Sequence, residues 1–476
     1  MKKFFVILFL LLFLVDLSVA DTIEEDLKEY RAAMRILADD CRRQGMDLEA
    51  RVTQNRIWED PPYGFFIPRP AERPLGSLPE DAAPRQRKWF QEMRRIEAEY
   101  GSRFLVRAKG SAAAGKGHKA FEEARLAFFI DPESEEAREI FGYRLYEGVW
   151  LRDWEIGRKK KGLIKDPIYG WITEREKERL TAGSETNGPR ARSGKITVET
   201  EHFEVKTTTS RKEAAAMARH LEEFRSVWEI LFFPMTVSEK EAAAVVLGKK
   251  EQAGGKHKVV IFRNRDEYLR EILRLDAGGE ISSGGYFPDK KTVYLYRPDP
   301  NEEDETPLNV MAIHEAAHQF FAETGFIRGA AQRRRANPGE QAQFWMTEGI
   351  ACYLETFKAS ERGWTVGGTA SYRFLRAKER ADEADGLLPI AQLAAMGKNV
   401  FQSDPQPAKL YTESAGLVSF FFHGEGGKYR EAFLSSLHAL YQGKESPDLL
   451  EKSTGTSYSR LDEEFQDFLR RAPFTE

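Results

Sequence analysis

The feature that most constrains the fold is an apolar segment, from Pro307 to Gly325, that carries three ionisable side chains in its middle. A proline at the start and a glycine at the end are typical of a helix, so we predict one here. Its flanks are apolar on both sides of His314, Glu315 and His318, so the helix has to be buried on most of its faces. Burying two histidines and a glutamate is costly unless a partner satisfies them.

His314, Glu315 and His318 form the pattern H-E-x-x-H, which is typical of a zinc site. Positions i and i+4 lie on one face of a helix, one turn apart, so the two imidazoles can share one metal ion. Glu315 then stands beside the metal and can reach a water bound to it. The alternative is a polar stripe on a surface helix, which the apolar flanks oppose. We predict one Zn2+ per chain at this helix.

Glu348 is the candidate for the third protein ligand of a tetrahedral zinc, whose fourth position is left for water. It lies 30 residues after His318. Thr347 is expected to cap a second helix, which would put Glu348 in its first turn, and Gly349 would let this helix pack closely on the first. The alternative is a glutamate favoured only by the helix dipole. A third histidine ligand is disfavoured, because none follows His318 until His423.

Two segments carry a resemblance to a known family, H-E-A-A-H-Q at 314–319 and W-M-T-E-G-I-A-C-Y-L-E at 345–355. The chain resembles the gluzincin metallopeptidases over roughly residues 195–476, and most closely a family of secreted bacterial peptidase-MA-like domains. The resemblance implies an α+β fold, in which a small twisted sheet packs on the active-site helix before a helical C-terminal lobe. It also implies zinc on His314, His318 and Glu348.

In such a peptidase the resemblance makes Glu315 the general base. One position departs from the thermolysin-type gluzincins, which carry an aspartate four residues after the glutamate ligand to orient a zinc-bound histidine. Cys352 occupies this position here. Glu355, two turns after Glu348 along the same helix face, is the candidate to replace the aspartate.

The resemblance also implies a donor for the oxyanion that develops during peptide hydrolysis. Related gluzincins use a tyrosine or histidine of the C-terminal lobe, and Tyr411, in a Y-x-x-S-x-x-L-V segment, is the candidate, with His423 as the second choice. The alternative is that Tyr411 packs in the core beside Phe420. The glycines and serines at 278–285 predict a flexible loop beside an edge strand at Val293–Tyr296. In this family the corresponding strand pairs with an extended substrate, and the glycines would let the substrate approach closely.

The amino-terminal part is predicted to be mainly helical. Apolar residues recur at helical spacing from Ile23 to Cys41, whereas residues 57–85 are rich in Pro and Gly and are interpreted as a loop. The pattern W-[LI]-x3-E-x2-R-x3-G begins at Trp150 and again at Trp171, and predicts a turn and a short helix in each copy. Both tryptophans are interpreted as anchors of a small core; the alternative is a surface module for a partner or a cell-wall polymer.

A polar segment at 181–194 has no periodicity and is the predicted linker. We therefore expect a helical region at 21–188, with the repeat at its end (148–183), and a catalytic domain at 195–476. The catalytic domain should begin with strands and become almost wholly helical from Pro307 onward. The run Arg333–Arg335 is interpreted as a solvated loop, with contact to an acidic group as the alternative.

The first twenty residues are predicted to be a secretory signal peptide. Two lysines, an apolar run from Phe4 to Val15 and small residues before Asp21 form its three parts, with cleavage near Ala20. The alternative is an uncleaved anchor, but the run is too short to cross a bilayer comfortably. No later segment is apolar enough to cross, so we expect export to the periplasm or the extracellular space.

Composition excludes several other classes of protein. Lys and Arg number 72 against 76 Asp and Glu, a formal net charge of −4, which argues against a nucleic-acid partner. Only two cysteines are present, so a disulfide-dense scaffold and a four-cysteine zinc site are both excluded. Cys41 and Cys352 could pair in an exported protein, but two free thiols are the preferred interpretation.

The sequence therefore predicts a zinc-dependent peptidase that hydrolyses a peptide or protein substrate outside the cytoplasm. The alternative is a non-catalytic zinc-fold protein that binds a partner or a cell-wall polymer through its tryptophan repeat. Glu315 favours the peptidase, because a structural zinc site has no use for a glutamate at that position.

Overall fold

The structure is a computed structural model that describes residues 2–70, 72, 78–182, 196–249, 255–275, 284–299, 306–324, 337–383 and 386–473, with side chains from residue 23 onward. The side chains of the predicted signal peptide and nearly all of the predicted linker therefore lie outside the described residues. So do Gly278-Gly279, Gly325 and Arg333–Arg335. Of the helices described, none is long and apolar enough to cross a membrane.

The first part of the chain contains helices, the strand β1 and four short hairpin strands, β2 to β5. Its elements are α1 (Lys2–Arg43), α2 (Asp47–Gln54), β1 (Gly64–Pro68), α3 (Pro84–Ala113), α4 (Gly117–Ile130), α5 (Glu135–Ile140), β2 (Tyr143–Tyr146), β3 (Val149–Arg152), α6 (Asp153–Lys160), β4 (Ile164–Asp166), β5 (Gly170–Ile172) and α7 (Glu174–Thr181).

After the predicted linker, strands and helices are mixed at first and helices dominate later. The elements are β6 (Ile196–Glu199), β7 (Phe203–Thr207), α8 (Arg211–Thr236), α9 (Glu239–Val246), β8 (His257–Phe262), α10 (Arg265–Arg274), β9 (Gly284–Phe287), β10 (Thr292–Tyr296), α11 (Leu308–Glu323), α12 (Phe344–Leu354), β11 (Lys358–Ala359), β12 (Gly363–Gly367), α13 (Tyr372–Arg380), α14 (Ile390–Ala395), α15 (Lys398–Gln402), α16 (Pro407–His423), α17 (Arg430–Tyr441), α18 (Leu449–Thr454) and α19 (Tyr458–Arg471). The protein is thus of mixed α+β class, as predicted.

The chain forms two compact units, each assembled from separate stretches of sequence. The first contains Met1–Glu59, Pro68–Ile156 and Val237–Gln252, and the second contains Asp60–Ile67, Gly157–Thr236 and Ala253–Glu476. In the first unit, α1, α2, α3 and α4 share one hydrophobic core. The helix predicted from Ile23 to Cys41 lies within α1, and its apolar side packs in that core. Cys41 and Cys352 are both buried and free, as predicted.

The two-copy repeat forms two similar hairpins, each followed by a helix. Strands β2 and β3 precede α6, and β4 and β5 precede α7. Trp150 and Trp171 occupy the same position in β3 and β5, so each lies in a strand rather than in the predicted turn. Trp150 is buried, with the guanidinium of Arg138 4.9 Å from its ring, whereas Trp171 is only partly buried. The short helix predicted after each tryptophan is confirmed.

A five-stranded sheet in the second unit supports the helix that carries His314. Its strand order is β6-β7-β8-β10-β9; the three central strands are parallel, and each outer strand is antiparallel to its neighbour. Helices α8 and α11 pack on one face, where Phe320 of α11 contacts Phe203 of β7 and Phe224 of α8. Helix α10 packs on the other face, against a cluster that includes Tyr294.

The edge position predicted for the strand at Val293–Tyr296 is wrong. Strand β10 lies between β8 and β9, and β9 is the outer strand of the five. Gly284 and Gly285, which we interpreted as part of a loop, belong to β9. Gly284 is closely packed, because a Cβ there would come within 2.8 Å of the Leu295 side chain. Gly284, which we interpreted as a loop residue, therefore lies in a strand, where the absence of a side chain allows close packing.

Among the described residues after Pro307 helices dominate, as predicted, and the exception is a small second sheet that the sequence did not indicate. Strands β1, β12 and β11 form this three-stranded sheet, and β1 lies inside the stretch predicted to be a loop, 57–85. Gly363 of β12 lies so close to β1 that a Cβ would collide with the carbonyl oxygen of Ile67. Elsewhere in the lobe α12 packs closely on α16 and also contacts α11.

Candidate metal centre

Helix α11 places the two histidines where the sequence predicts. Its flanking residues, among them Ile313, Ala317 and Phe321, are buried, so the helix is fixed on most of its faces. His314 and His318 are one turn apart, their side chains are 15% and 21% exposed, and their Nε2 atoms lie 3.2 Å from each other. The helix therefore presents two imidazole nitrogens to one point in space.

Helix α12 brings Glu348 to the same point. The helix begins at Phe344, preceded by Gln343 with a φ of 62°, so Glu348 lies in its second turn. The predicted cap at Thr347 is wrong, because its hydroxyl donates to the carbonyl of Phe344 from inside the helix. Gly349 does permit close packing, but against α16, where a Cβ would lie 2.7 Å from the carbonyl oxygen of Ser414.

The three side chains fit a tetrahedral zinc ion. The Oε2 atom of Glu348 lies 3.3 Å from His314 Nε2 and 3.7 Å from His318 Nε2. Bonds of 2.0–2.1 Å at tetrahedral angles put neighbouring ligand atoms about 3.3 Å apart, close to these separations. Two imidazoles and one carboxylate also form a ligand set known for catalytic zinc. His314, His318 and Glu348 are therefore the residues that could hold the metal.

The charge of Glu348 suits the role of a ligand. Burial favours its neutral form, but the adjacent His318 and His314 hold the pKa of its carboxyl well below the ordinary value. A metal requires the deprotonated carboxylate and neutral imidazoles, so a cation at this point would replace the histidine protons as the partner of Glu348. The site thus has a buried negative charge that a divalent ion can neutralise.

Glu315 lies outside the ligand cluster, beside the sheet. Its Oε2 atom accepts a hydrogen bond of 2.7 Å from the backbone amide of Tyr286, in β9. One oxygen of the carboxylate is thus held by the outer strand of the sheet. The position next to His314 in the helix and the contact with β9 place Glu315 between the histidines and this strand.

Glu355 orients His314, as predicted. Its Oε1 atom lies 2.8 Å from His314 Nδ1, and because Nδ1 faces a carboxylate, the Nε2 lone pair is left for the metal. Arg373 donates to both oxygens of Glu355, at 2.8 and 3.1 Å. Although burial raises the pKa of Glu355, His314 and Arg373 lower it overall. Cys352, at the position of the expected aspartate, is buried beside His314, and burial raises the pKa of its thiol.

We expect Glu355→Gln to weaken zinc binding by about 10- to 100-fold. A glutamine can still accept from His314 Nδ1, but it carries no charge to match Arg373 and makes His314 a weaker ligand. Competition with a chromophoric chelator measures the affinity. Glu361→Gln, at an exposed position between β11 and β12, is the control. An unchanged affinity in Glu355→Gln would mean that the contact with His314 does not tune the site.

Tyr411 and His423, the two predicted oxyanion donors, lie at opposite ends of α16. Burial raises the pKa of the Tyr411 phenol, and the charge of Glu348 raises it further, so Tyr411 lies within electrostatic reach of the cluster. His423 is twelve residues on, about 18 Å along the helix. Its Nε2 atom bonds with the hydroxyl of Tyr353 at 2.7 Å, and burial lowers its pKa to about 3. His423 is therefore not at the site.

Three residues near the site carried no recognisable signal in the sequence. Tyr286 contacts Glu315, and Arg373 contacts Glu355. The fold brings these residues together although they are distant in the sequence. Tyr441, at the end of α17, is buried; burial raises the pKa of its phenol, and the nearby Glu348 raises it further. No spacing rule links these residues to the H-E-x-x-H helix, because they come from a strand and two helices that meet it by packing.

Comparison with models of protein families and with curated proteins found no match for this chain. The function therefore has to be inferred from the geometry of the site.

Proposed function

We propose that this chain is a zinc-dependent peptidase of the gluzincin type, which hydrolyses peptide bonds. The spacing of the donor atoms of His314, His318 and Glu348 carries the proposal, because it suits a zinc ion with a fourth position left for water. Glu315 stands beside this cluster and is not one of its members. The predicted signal peptide would place the reaction in the periplasm or outside the cell.

Each catalytic role falls on a residue with a suitable environment. A zinc ion bound here would lower the pKa of its water towards about 7 and polarise the substrate carbonyl. Glu315, held at one oxygen by the Tyr286 amide, takes the proton of the attacking water on its other oxygen and passes it to the leaving amine. The Tyr411 phenol, kept protonated by its raised pKa, donates a hydrogen bond to the developing oxyanion.

Strand β9 is the element on which we expect the substrate to dock. It is the outer strand of the five-stranded sheet and contacts Glu315 through Tyr286. An extended peptide that pairs with an outer strand is held by backbone hydrogen bonds, which do not depend on its sequence. Such a peptide would lie beside Glu315, so the proposed substrate is an unfolded or extended polypeptide segment.

The proposed function is tested by incubating the zinc-loaded protein with a library of unstructured peptides. We expect internal cleavage products by mass spectrometry, which disappear when a chelator removes the metal and return when zinc is restored. If the zinc-loaded protein leaves the library intact, it is not a peptidase.

Tyr411→Phe is expected to lower kcat by about 10²-fold with little change in KM, because only the donor to the oxyanion is lost. The ring keeps its packing against Phe401, whose centroid lies 5.3 Å away. Tyr429→Phe removes a phenol that donates to Glu464 in the same lobe and serves as the control. Normal kcat in Tyr411→Phe would favour the interpretation of Tyr411 as a core residue.

A further inference from the structure

We propose that Tyr286 is a positioning residue for Glu315: it bridges two glutamates of α11 and so fixes the carboxylate that acts as general base. This inference rests on the proposed peptidase function. Tyr286 donates from its backbone amide to Glu315 Oε2 at 2.7 Å and from its phenol to Glu323 Oε1 at 3.1 Å. One residue of the outer strand is thus tied to the zinc helix at two points.

The two anchor points are far enough apart to fix an orientation. Glu315 and Glu323 are eight residues apart on one helix, which corresponds to about 12 Å of rise and slightly more than two turns. Strand β9 is also paired with β10, but a single contact with α11 would fix only one distance between Tyr286 and that helix. Two contacts at this separation fix both the distance and the direction of Tyr286 relative to α11, and therefore the point from which its amide meets Glu315.

Glu323 is itself held from the other side. Its Oε2 atom lies 2.8 Å from Nδ1 of His257, at the start of β8, and both side chains are largely buried, at 13% and 6% exposure. Gln319 Nε2 also approaches Glu323 Oε1, at 3.3 Å. A buried carboxylate with these partners cannot turn away without leaving one of them unsatisfied. The phenol of Tyr286 therefore meets a fixed acceptor.

The two contacts of Tyr286 affect the position of the general base, Glu315, rather than the metal ligands. Because Glu315 Oε2 already accepts a hydrogen bond from the Tyr286 amide, we expect the other oxygen to take the proton. A loss of the phenol contact would let β9 shift, and the carboxylate would follow it or lose the amide. Misplacement of a catalytic group by about 1 Å can reduce a rate by about 10²-fold.

The test compares Tyr286→Phe with Tyr294→Phe in the full chain. Tyr286→Phe keeps the backbone amide and the ring and removes only the phenol oxygen. Tyr294→Phe removes the same atom from a tyrosine of β10, on the sheet face packed by α10. In Tyr286→Phe we expect the Tyr286 amide to exchange with deuterium about tenfold faster than in the wild type, and kcat for peptide cleavage to fall about tenfold with KM within twofold. Tyr294→Phe should change neither.

Glu323 supplies the second pair of variants. Glu323→Ala is expected to reproduce both effects of Tyr286→Phe, and Glu323→Gln, which keeps an acceptor for the phenol, to restore them towards the wild-type values. The proposal is overturned if the backbone amide of residue 286 exchanges at the wild-type rate in Tyr286→Phe. It is also overturned if this amide exchanges faster while kcat stays normal. If the wild type cleaves nothing, the proposed function fails, while the exchange data still decide whether the phenol holds this amide.

Discussion

Glu315→Gln is expected to lower kcat/KM for peptide cleavage by about 10³-fold and to leave zinc affinity within about twofold. The two side chains have nearly the same shape, so the glutamine can turn its oxygen to the Tyr286 amide and keep that hydrogen bond. It then presents an NH2 group to the attacking water in place of a basic oxygen. The variant therefore changes proton transfer and little else.

The control for this variant is the exposed Glu361→Gln, which makes the same chemical change away from the site. Activity is measured on a fluorogenic peptide, and zinc content by elemental analysis of the same preparation. Cleavage that survives Glu315→Gln would rule out Glu315 as the base and with it the proposed mechanism. Loss of both zinc and activity would instead mean that Glu315 is needed for metal binding and not only for proton transfer.

The part of the site that could be predicted from the sequence is the part set by helix periodicity. His314 and His318 meet because residues four apart share a face, whatever the rest of the fold does. Glu355 could be assigned for the same reason, as it lies two turns after Glu348 along α12. Geometry within one helix is local, and local geometry is what a single sequence encodes most directly.

Long-range packing accounts for the predictions that were wrong. Thr347 looked like a cap, but α12 begins three residues earlier, at Phe344, because the side chain of Gln343 is held by Ser446, Pro447 and Tyr458 from the C-terminal part of the chain. None of these partners is close to Gln343 in the sequence. The start of the helix is therefore decided by contacts that no local pattern contains.

The position of β10 in the sheet is a further prediction that was wrong because it depends on long-range packing. The residue types of Thr292–Tyr296 predicted β10 as a strand but carried no information on its neighbours, and the glycines before it indicated a loop. Strand β9 could form because Gly284 has no side chain to meet Leu295. The role of Tyr286 follows from this packing and the role of Arg373 from the contact between α13 and Glu355, so neither could be found from residue spacing.

The second large effect is expected from His318→Ala, which should abolish the stabilisation of the protein by zinc. A free zinc concentration a thousand times the Kd stabilises the wild type by about 4 kcal/mol, which for a unit of a few hundred residues raises Tm by roughly 10 °C. His318→Ala leaves only His314 and Glu348 of the three ligands. Two ligands do not complete a protein zinc site, so we expect a rise of less than about 2 °C.

The quantity to compare is the difference in Tm between zinc and chelator for each variant, not Tm itself. Without metal, the imidazole of His318 faces the buried carboxylate of Glu348 at 3.7 Å, so His318→Ala also lowers the stability of the metal-free protein. Subtracting the Tm measured with chelator removes this change in metal-free stability from the comparison. His438→Ala, on α17 and outside the cluster, makes the same change elsewhere and should keep the full zinc-dependent rise. An equal rise in His318→Ala would place the metal at a site that does not use His318, such as the group of His314, Cys352 and Glu355.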